Sequence, residues 1–223
     1  MSDFVALSRF LAGIAAPDVQ AILAQATLRR FPPNSVVAHQ GAPAVELFLI
    51  TKGRARHFYT TPDGQKILLL WLAPGEIFGA ATLLAERSEF RVSTETVKDT
   101  WVLVWNRGTI RALSERYPRI KENALWIASD YLDWYAAAHV ALSCHTARQR
   151  LAGVLVSLAP LLGRAVPGGV ELDVTNEERA SAAHVTPFTA SRLLNEWQRD
   201  RAVIKRRGRV VLLAPQQLVR SSA

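Results

Sequence analysis

Phe188, Ser191, Arg192 and Asn195 fall at i, i+3, i+4 and i+7, so on a helix they share one face. They bring an apolar ring, a hydroxyl, a guanidinium and an amide to that face. Ala190, Leu193, Leu194 and Trp197 repeat the same spacing with apolar side chains, which makes theirs the buried face. The outward mixture matches the edges of base pairs. Arginine can pair with guanine O6 and N7, asparagine with adenine, and a phenyl ring can touch a thymine methyl. Thr186 and Thr189, at the start of the same helix, suit phosphate oxygens. A few residues on, Lys205, Arg206, Arg207 and Arg209 crowd a turn between Val203-Ile204 and Val210-Val211-Leu212-Leu213. That is strand, basic turn, strand, and four such cations lying along a phosphate backbone would add affinity that falls as salt rises.

These side chains need elements to hold them. Thr186-Pro187 is an N-cap followed by proline at the first helical position, so the reading helix starts there and runs to about Arg199. Thr175-Asn-Glu-Glu178 fits the capping box and opens a short helix that breaks at His184-Val185. Two short helices followed by a basic hairpin spell a winged helix-turn-helix. Upstream, Leu151, Val154, Leu155, Leu158 and Leu161 place an amphipathic helix at 147–162, and 163–174, with Pro167-Gly168-Gly169, reads as a turn and a short strand.

The first half of the chain has a different rhythm. From Thr27 to Trp105 it is dense in β-formers broken by Pro32-Pro33-Asn34, Gly41-Ala42-Pro43, Lys52-Gly53, Pro62-Asp63-Gly64 and Pro74-Gly75, the spacing of an antiparallel roll. Leu47–Ile50 and Ile67–Leu72 are continuously apolar, as strands covered on both faces are. From about Tyr117 the period becomes helical. Ile120, Ala124, Ile127, Tyr131, Trp134 and Ala138 form a narrow stripe that predicts a seam for a twin helix, while Leu125, Ala128, Leu132, Tyr135, His139 and Leu142 form a second row expected to pack on the roll. The expected organisation is an α+β chain: a β-roll sensor at 1–116, a dimerisation helix and hinge at 117–145, and a winged helix-turn-helix at 146–223.

Composition narrows the function. Of the formal charge of +8, +6 falls in residues 146–223, where twelve Lys and Arg face six Asp and Glu. A basic excess concentrated in one region is the footprint of a phosphate-rich partner. No apolar run reaches the roughly 18 residues of a membrane span, and the N-terminal stretch lacks the pattern of a secretory signal, so a cytoplasmic protein is expected. Cys144 is the single cysteine, which excludes an internal disulfide and a cluster held by four thiolates of one chain. An enzyme finds no support: there is no Gly-x-Ser-x-Gly elbow, His-Glu-x-x-His pair or phosphate-binding loop, and His39 and His57 stand apart from further ligands, so no metal site is expected. Adjacent Cys144 and His145 diverge on a helix and make no nucleophile and base pair. A module that regulates a protein partner without touching DNA stays open, with the basic wing against it.

The order of parts resembles the cyclic-AMP-receptor-protein/FNR superfamily of bacterial transcription regulators. The residues that carry the resemblance are Gly41, Phe48-Leu49-Ile50 and Gly53, then Pro74-Gly75-Glu76-Ile77-Phe78-Gly79, the long helix, and Val185-Thr186-Pro187-Phe188-Thr189-Ala190-Ser191-Arg192-Leu193-Leu194. The resemblance implies a cyclic-nucleotide-binding-like roll, a homodimer joined through the long helix, a palindromic double-stranded DNA site, and RNA polymerase as a partner. Its candidate effector contacts are Gly79, Ala80, Arg87, Ser88, Arg91 and Tyr135. Several departures bear on the signal. Ala80 stands where the cyclic-AMP branch has a carboxylate. The Arg-Ser pair of that branch aligns either with Arg87-Ser88 or with Phe90-Arg91, and Tyr135 and Ala136 stand where it uses hydroxyls. The iron–sulfur branch needs cysteines that are absent. The pattern is closer to members that respond to nitrogen oxides, in some cases through haem, for which His57, His139 or His145 would be the axial ligand. The effector therefore stays open among haem, a cyclic nucleotide and another signal. Phe188 replaces the usual glutamate of the reading helix, so neither branch's familiar operator is assumed.

Overall fold

A computed structural model describes residues 3–220 apart from Ala85 and Arg87. The chain divides into two compact units, Met1–Asp133 and Trp134–Ala223. The first begins with α1 (Asp3–Leu7), a single 3-10 turn and α2 (Ala16–Leu23). Eight strands follow: β1 (Thr27–Phe31), β2 (Val36–Ala38), β3 (Glu46–Lys52), β4 (Ala55–Thr60), β5 (Lys66–Leu72), β6 (Ile77–Phe78), β7 (Ser93–Thr96) and β8 (Thr100–Asn106). They form two antiparallel four-stranded sheets, ordered β1-β8-β3-β6 and β2-β7-β4-β5. The expected roll is present, and Leu47 to Ile50 of β3 are buried on both faces as their continuous apolar run requires.

Two glycines in this roll are fixed by space as well as by angle. A Cβ on Gly53 (φ +94°) would lie 2.4 Å from the Asp99 carbonyl oxygen, and one on Gly79 (φ +82°) would lie 2.6 Å from that of Glu46. Gly79 closes β6 and turns the chain into a 3-10 turn, Ala80–Leu83. Arg107 then holds the following segment, donating to the carbonyls of Thr82 (3.2 Å), Leu84 (2.8 Å) and Glu86 (2.8 Å).

Arg107 also opens α3 (Arg107–Arg116), and α4 (Arg119–Cys144) follows, 26 residues long. Here the structure corrects the sequence reading. Ile120, Ala124 and Ile127, expected to form the seam for a twin, are buried in the core of their own roll with Phe10, Ile22, Leu47, Leu49 and Trp105, and Tyr131 packs against the same cluster. Trp134 is exposed and Ala138 half-buried, both in the second unit. Leu125 and Leu132, of the row expected to pack on the roll, are 72% and 69% exposed, and Trp126 is 67% exposed. The start of the row expected to face a twin is turned inward, and the row expected inward is exposed at Leu125 and Leu132. Both rows are apolar at helical spacing, so periodicity could not say which turned inward. Asn123 decides it: from within the buried row its amide donates to the carbonyls of Phe10 and Ala12, both at 2.9 Å. A buried amide must find acceptors, and these lie on the N-terminal segment of the same chain.

The second unit carries α5 (Ala147–Leu162), β9 (Gly163–Val166), β10 (Gly169–Leu172), α6 (Asn176–Ala182), α7 (Pro187–Arg199), β11 (Val203–Arg206), β12 (Arg209–Leu212) and α8 (Pro215–Arg220). The turn and short strand expected at 163–174 prove to be a hairpin, and the sheet runs β11-β12-β10-β9, antiparallel throughout. Leu151, Leu155, Leu158, Leu172, Leu193, Leu194, Trp197 and Val210 to Leu212 fill its core.

Candidate nucleic-acid interface

Both caps read from the sequence form. The Thr175 hydroxyl accepts from the Glu178 amide at 3.2 Å, and the Glu178 carboxylate accepts from the Thr175 amide at 2.8 Å. The Thr186 hydroxyl accepts from the Thr189 amide at 3.1 Å and lies 2.9 Å from the Thr189 hydroxyl. Asn176 donates to the Pro187 carbonyl at 2.9 Å, tying the starts of α6 and α7 together. Between them His184 has φ +50°, a left-handed turn that strains a side chain with a Cβ. Arg150 braces this corner. Its guanidinium donates to the carbonyls of Ala183 (2.9 Å), His184 (3.2 Å) and, on the chain just past α4, His145 (2.9 Å).

On α7 the apolar face is buried and the predicted outward face is outward. Phe188 is 78% exposed, an unusual position for a phenyl ring. Arg192 donates to Glu196 at 2.8 Å, and the other oxygen of that carboxylate accepts from Arg148 at 2.7 Å. Arg148 also lies over the Trp197 ring at 5.4 Å. Arg192 is thus exposed but held by an ion pair on its own helix.

The four wing cations differ in what they touch within the chain. Lys205 turns onto α7, where its ammonium donates to Asn195 Oδ1 at 2.6 Å and lies 3.4 Å from Ser191 Oγ. Arg206 and Arg209 reach inward to Glu171 on β10, at 3.1 and 3.3 Å, and Arg164 of β9 joins them at 2.6 Å. Glu171 is only 3% exposed. The Arg164 hydrogen bond, then the charges of the three arginines, hold its carboxyl below the usual range against the burial that opposes them. Arg207 sits exposed at the turn tip, before Gly208. Sequence reasoning missed Glu171 because its partners lie 7 to 38 residues away, beyond any local spacing rule. Glu196 was legible, four residues after Arg192.

Arg179 of α6 is buried, and burial lowers its pKa. Its Nε and Nη1 make no hydrogen bond within the described residues.

The candidate effector residues are less united. Gly79 and Ala80 stand together, Ser88 lines a surface groove of about 520 Å³ with Pro43, Ala44, Val45, Glu89 and Arg107, and Arg91 is exposed. Tyr135 belongs to the second unit, and Arg87 lies outside the described residues. A Cβ added at Gly79 would meet the Glu46 carbonyl and the rings of Phe90 and Phe48. Phe48 stacks on Phe78 at 4.5 Å, and His57 sits edge-on to Phe78 and Tyr131. His57 is buried, with Nδ1 2.9 Å from the Thr94 hydroxyl, whereas His139 and His145 are exposed near the end of α4. Cys144 is a free, exposed thiol.

Residues 28–117 match the cyclic nucleotide-binding domain family, and residues 149–221 match the Crp-like helix-turn-helix domain family. A cyclic AMP receptor protein from Thermus thermophilus is 31% identical over 183 residues, covering 82% of each chain. The chain belongs to the CRP/FNR family. It is thus a transcription regulator with a helix-turn-helix DNA-binding domain, and its relatives are not enzymes. A CRP-like cAMP-activated global transcriptional regulator from Mycobacterium tuberculosis is 23% identical over 96% of both chains. Two solved structures share the fold: the c-di-GMP responsive regulator CLP of Xanthomonas campestris (TM-score 0.76, 23% identity, 89% of this chain and 99% of that one) and FixK2 of Bradyrhizobium japonicum (TM-score 0.77, 20% identity, 89% and 98%). No helix among the described residues is long and apolar enough to cross a membrane.

Proposed function

We propose that this CRP/FNR regulator acts in the cytoplasm as a homodimer that reads a palindromic operator with α7 and is switched by a signal at the roll other than cyclic AMP. The observation that carries it is the α7 surface itself: Phe188, Arg192 and Asn195 project from a helix that is capped at Thr186, buried along its other face and flanked by a wing. Thr186, Pro187 and Thr189 at the helix start, with Ser191 beside them, face the phosphates and sugars, and Arg207 adds a sequence-blind phosphate contact. The sensing part corresponds to residues 1–116, the joint and dimer helix to 117–145, and the reading part to 146–223. Leu125, Trp126 and Leu132 supply the dimer seam, because their exposed apolar surface is what a two-fold helix pair buries. Ala80, where the cyclic-AMP branch has a carboxylate, supports a signal other than cyclic AMP. A signal that binds one arrangement of the dimer better than the other would change the separation of the two α7 helices, and only a separation near 34 Å fits successive major grooves. RNA polymerase is the partner through which such a regulator acts.

Fluorescence anisotropy on the duplex upstream of the protein's own gene, against a scrambled duplex at about 0.15 M salt, tests this. Arg192→Ala is expected to lose about 1–3 kcal/mol on the preferred duplex and little on the scrambled one, whereas Arg207→Ala weakens both alike. Equal losses on both duplexes for Arg192→Ala would remove its role as a reader. Addition of cyclic AMP is expected to leave binding unchanged.

A further inference from the structure

One side chain joins the wing to the reading helix. Lys205, on β11, places its ammonium 2.6 Å from Asn195 Oδ1 and 3.4 Å from Ser191 Oγ, and its backbone amide donates to Gln198 Oε1 at 2.9 Å. We infer that Lys205 is a specificity-positioning residue that fixes Asn195 as a hydrogen-bond donor toward the duplex, so that this operator position takes guanine or thymine and rejects adenine. The inference rests on α7 being the DNA-reading helix.

An ammonium has three donors and no acceptor, so the amide atom it meets must be the oxygen. That assignment leaves Nδ2, a donor only, to face outward. Reading adenine with an amide needs both ends at once, the oxygen for the N6 amino group and the nitrogen for N7. Here the oxygen is engaged by a cation, and the same cation repels the amino hydrogens that adenine would present. Guanine offers O6 and N7 and thymine offers O4, all acceptors, to which Nδ2 and the neighbouring ammonium both donate. Register places this contact on a separate base from the others. Phe188 and Asn195 are seven residues apart, about 10 Å along the axis at 1.5 Å per residue, or roughly three base-pair steps of 3.4 Å. Arg192, one turn before Asn195's end of the face and held by Glu196, lies between them.

The test is selection from a random duplex pool followed by sequencing, using full-length wild type, Lys205→Met, Asn195→Ala and Arg192→Ala, with melting curves confirming that each variant is folded. Methionine keeps the stem of Lys205 and removes the ammonium. Wild type is expected to enrich guanine or thymine at one position over adenine by about 5- to 100-fold, as one such contact discriminates. Asn195→Ala is expected to lose the preference at that position only, and Lys205→Met to admit adenine there while the other positions hold. A uniform loss of affinity in Lys205→Met with unchanged base preferences would make Lys205 an ordinary phosphate contact and overturn the inference, as would adenine at the Asn195-dependent position of wild type. If wild type enriches no sequence, or Arg192→Ala leaves the enriched motif intact, the assignment of α7 as the reader fails first, and the inference with it.

Discussion

His57 gives a prediction that the structure makes quantitative. Its imidazole is buried inside the roll, and burial pushes its pKa down to about 4 from the ordinary 6.5, while a hydrogen bond with the Ser93 backbone works weakly the other way. The proton therefore prefers the unfolded chain wherever the pH lies between these two values. Stability is fully present above about pH 6.5, declines as the pH falls, and stops declining near pH 4, where the folded protein takes up the proton as well. At 1.36 kcal/mol per pH unit the whole effect is about 3 kcal/mol, of which about 2 is gone by pH 5. The perturbation is His57→Leu, which removes the titrating ring. The assay is urea unfolding followed by tryptophan fluorescence at several pH values between 7 and 4.5. Glu76, whose carboxyl pKa is raised by burial, is common to both proteins, so the difference between the curves isolates His57. Wild type is expected to lose about 2 kcal/mol more than the variant between pH 7 and 5. Parallel curves would refute the account of His57 as a buried neutral base.

Three further outcomes follow from the buried charges and the exposed face of α4. Arg179→Met is expected to stabilise the protein by about 1–3 kcal/mol in urea unfolding, because it replaces a buried guanidinium, of which Nε and Nη1 have no hydrogen-bond partner among the described residues, with an unbranched apolar side chain that follows most of its path. Glu171→Gln leaves Arg164, Arg206 and Arg209 without their shared carboxylate; thermal melting should show destabilisation near neutral pH. The difference from wild type should shrink as the pH falls below the ordinary carboxylate range, because a depressed pKa contributes stability only while the group is ionised. Leu132→Asp, on the exposed row of α4, is expected to turn dimers into monomers in sedimentation velocity without lowering the melting point of the roll. Dimers that persist would place the seam elsewhere.

The reading head was the most legible part of the chain because its signals are local. Thr175 with Glu178, Thr186 with Pro187, and the apolar spacing from Ala190 to Trp197 act within one or two helical turns, and each gives the element it predicts. The roll was legible as strands from its turn residues, but strand partners such as Leu28 and Leu103 are set by topology, which short-range patterning does not contain. The orientation of α4 was misread for a specific reason: two apolar rows compete for burial, and the amide of Asn123 that settles the matter bonds to carbonyls 113 and 111 residues earlier. The wing was located correctly, yet its charges were assigned as if free, because the carboxylate that gathers Arg164, Arg206 and Arg209 sits on a strand the sequence barely announced.

The Arg150 bracket changes where motion can enter the molecule. One guanidinium holds the carbonyl just past the end of α4 and the two carbonyls at the strained turn between α6 and α7, and the Thr146 capping box fixes the same corner from the other side. Opening residues 143–146 like a door would break the bond from Arg150 to the His145 carbonyl, the one of the three that spans them. The corner is therefore a latch: the guanidinium that steadies the turn between α6 and α7 is the same one that touches the chain leaving α4, so a displacement of that chain reaches the turn through one side chain.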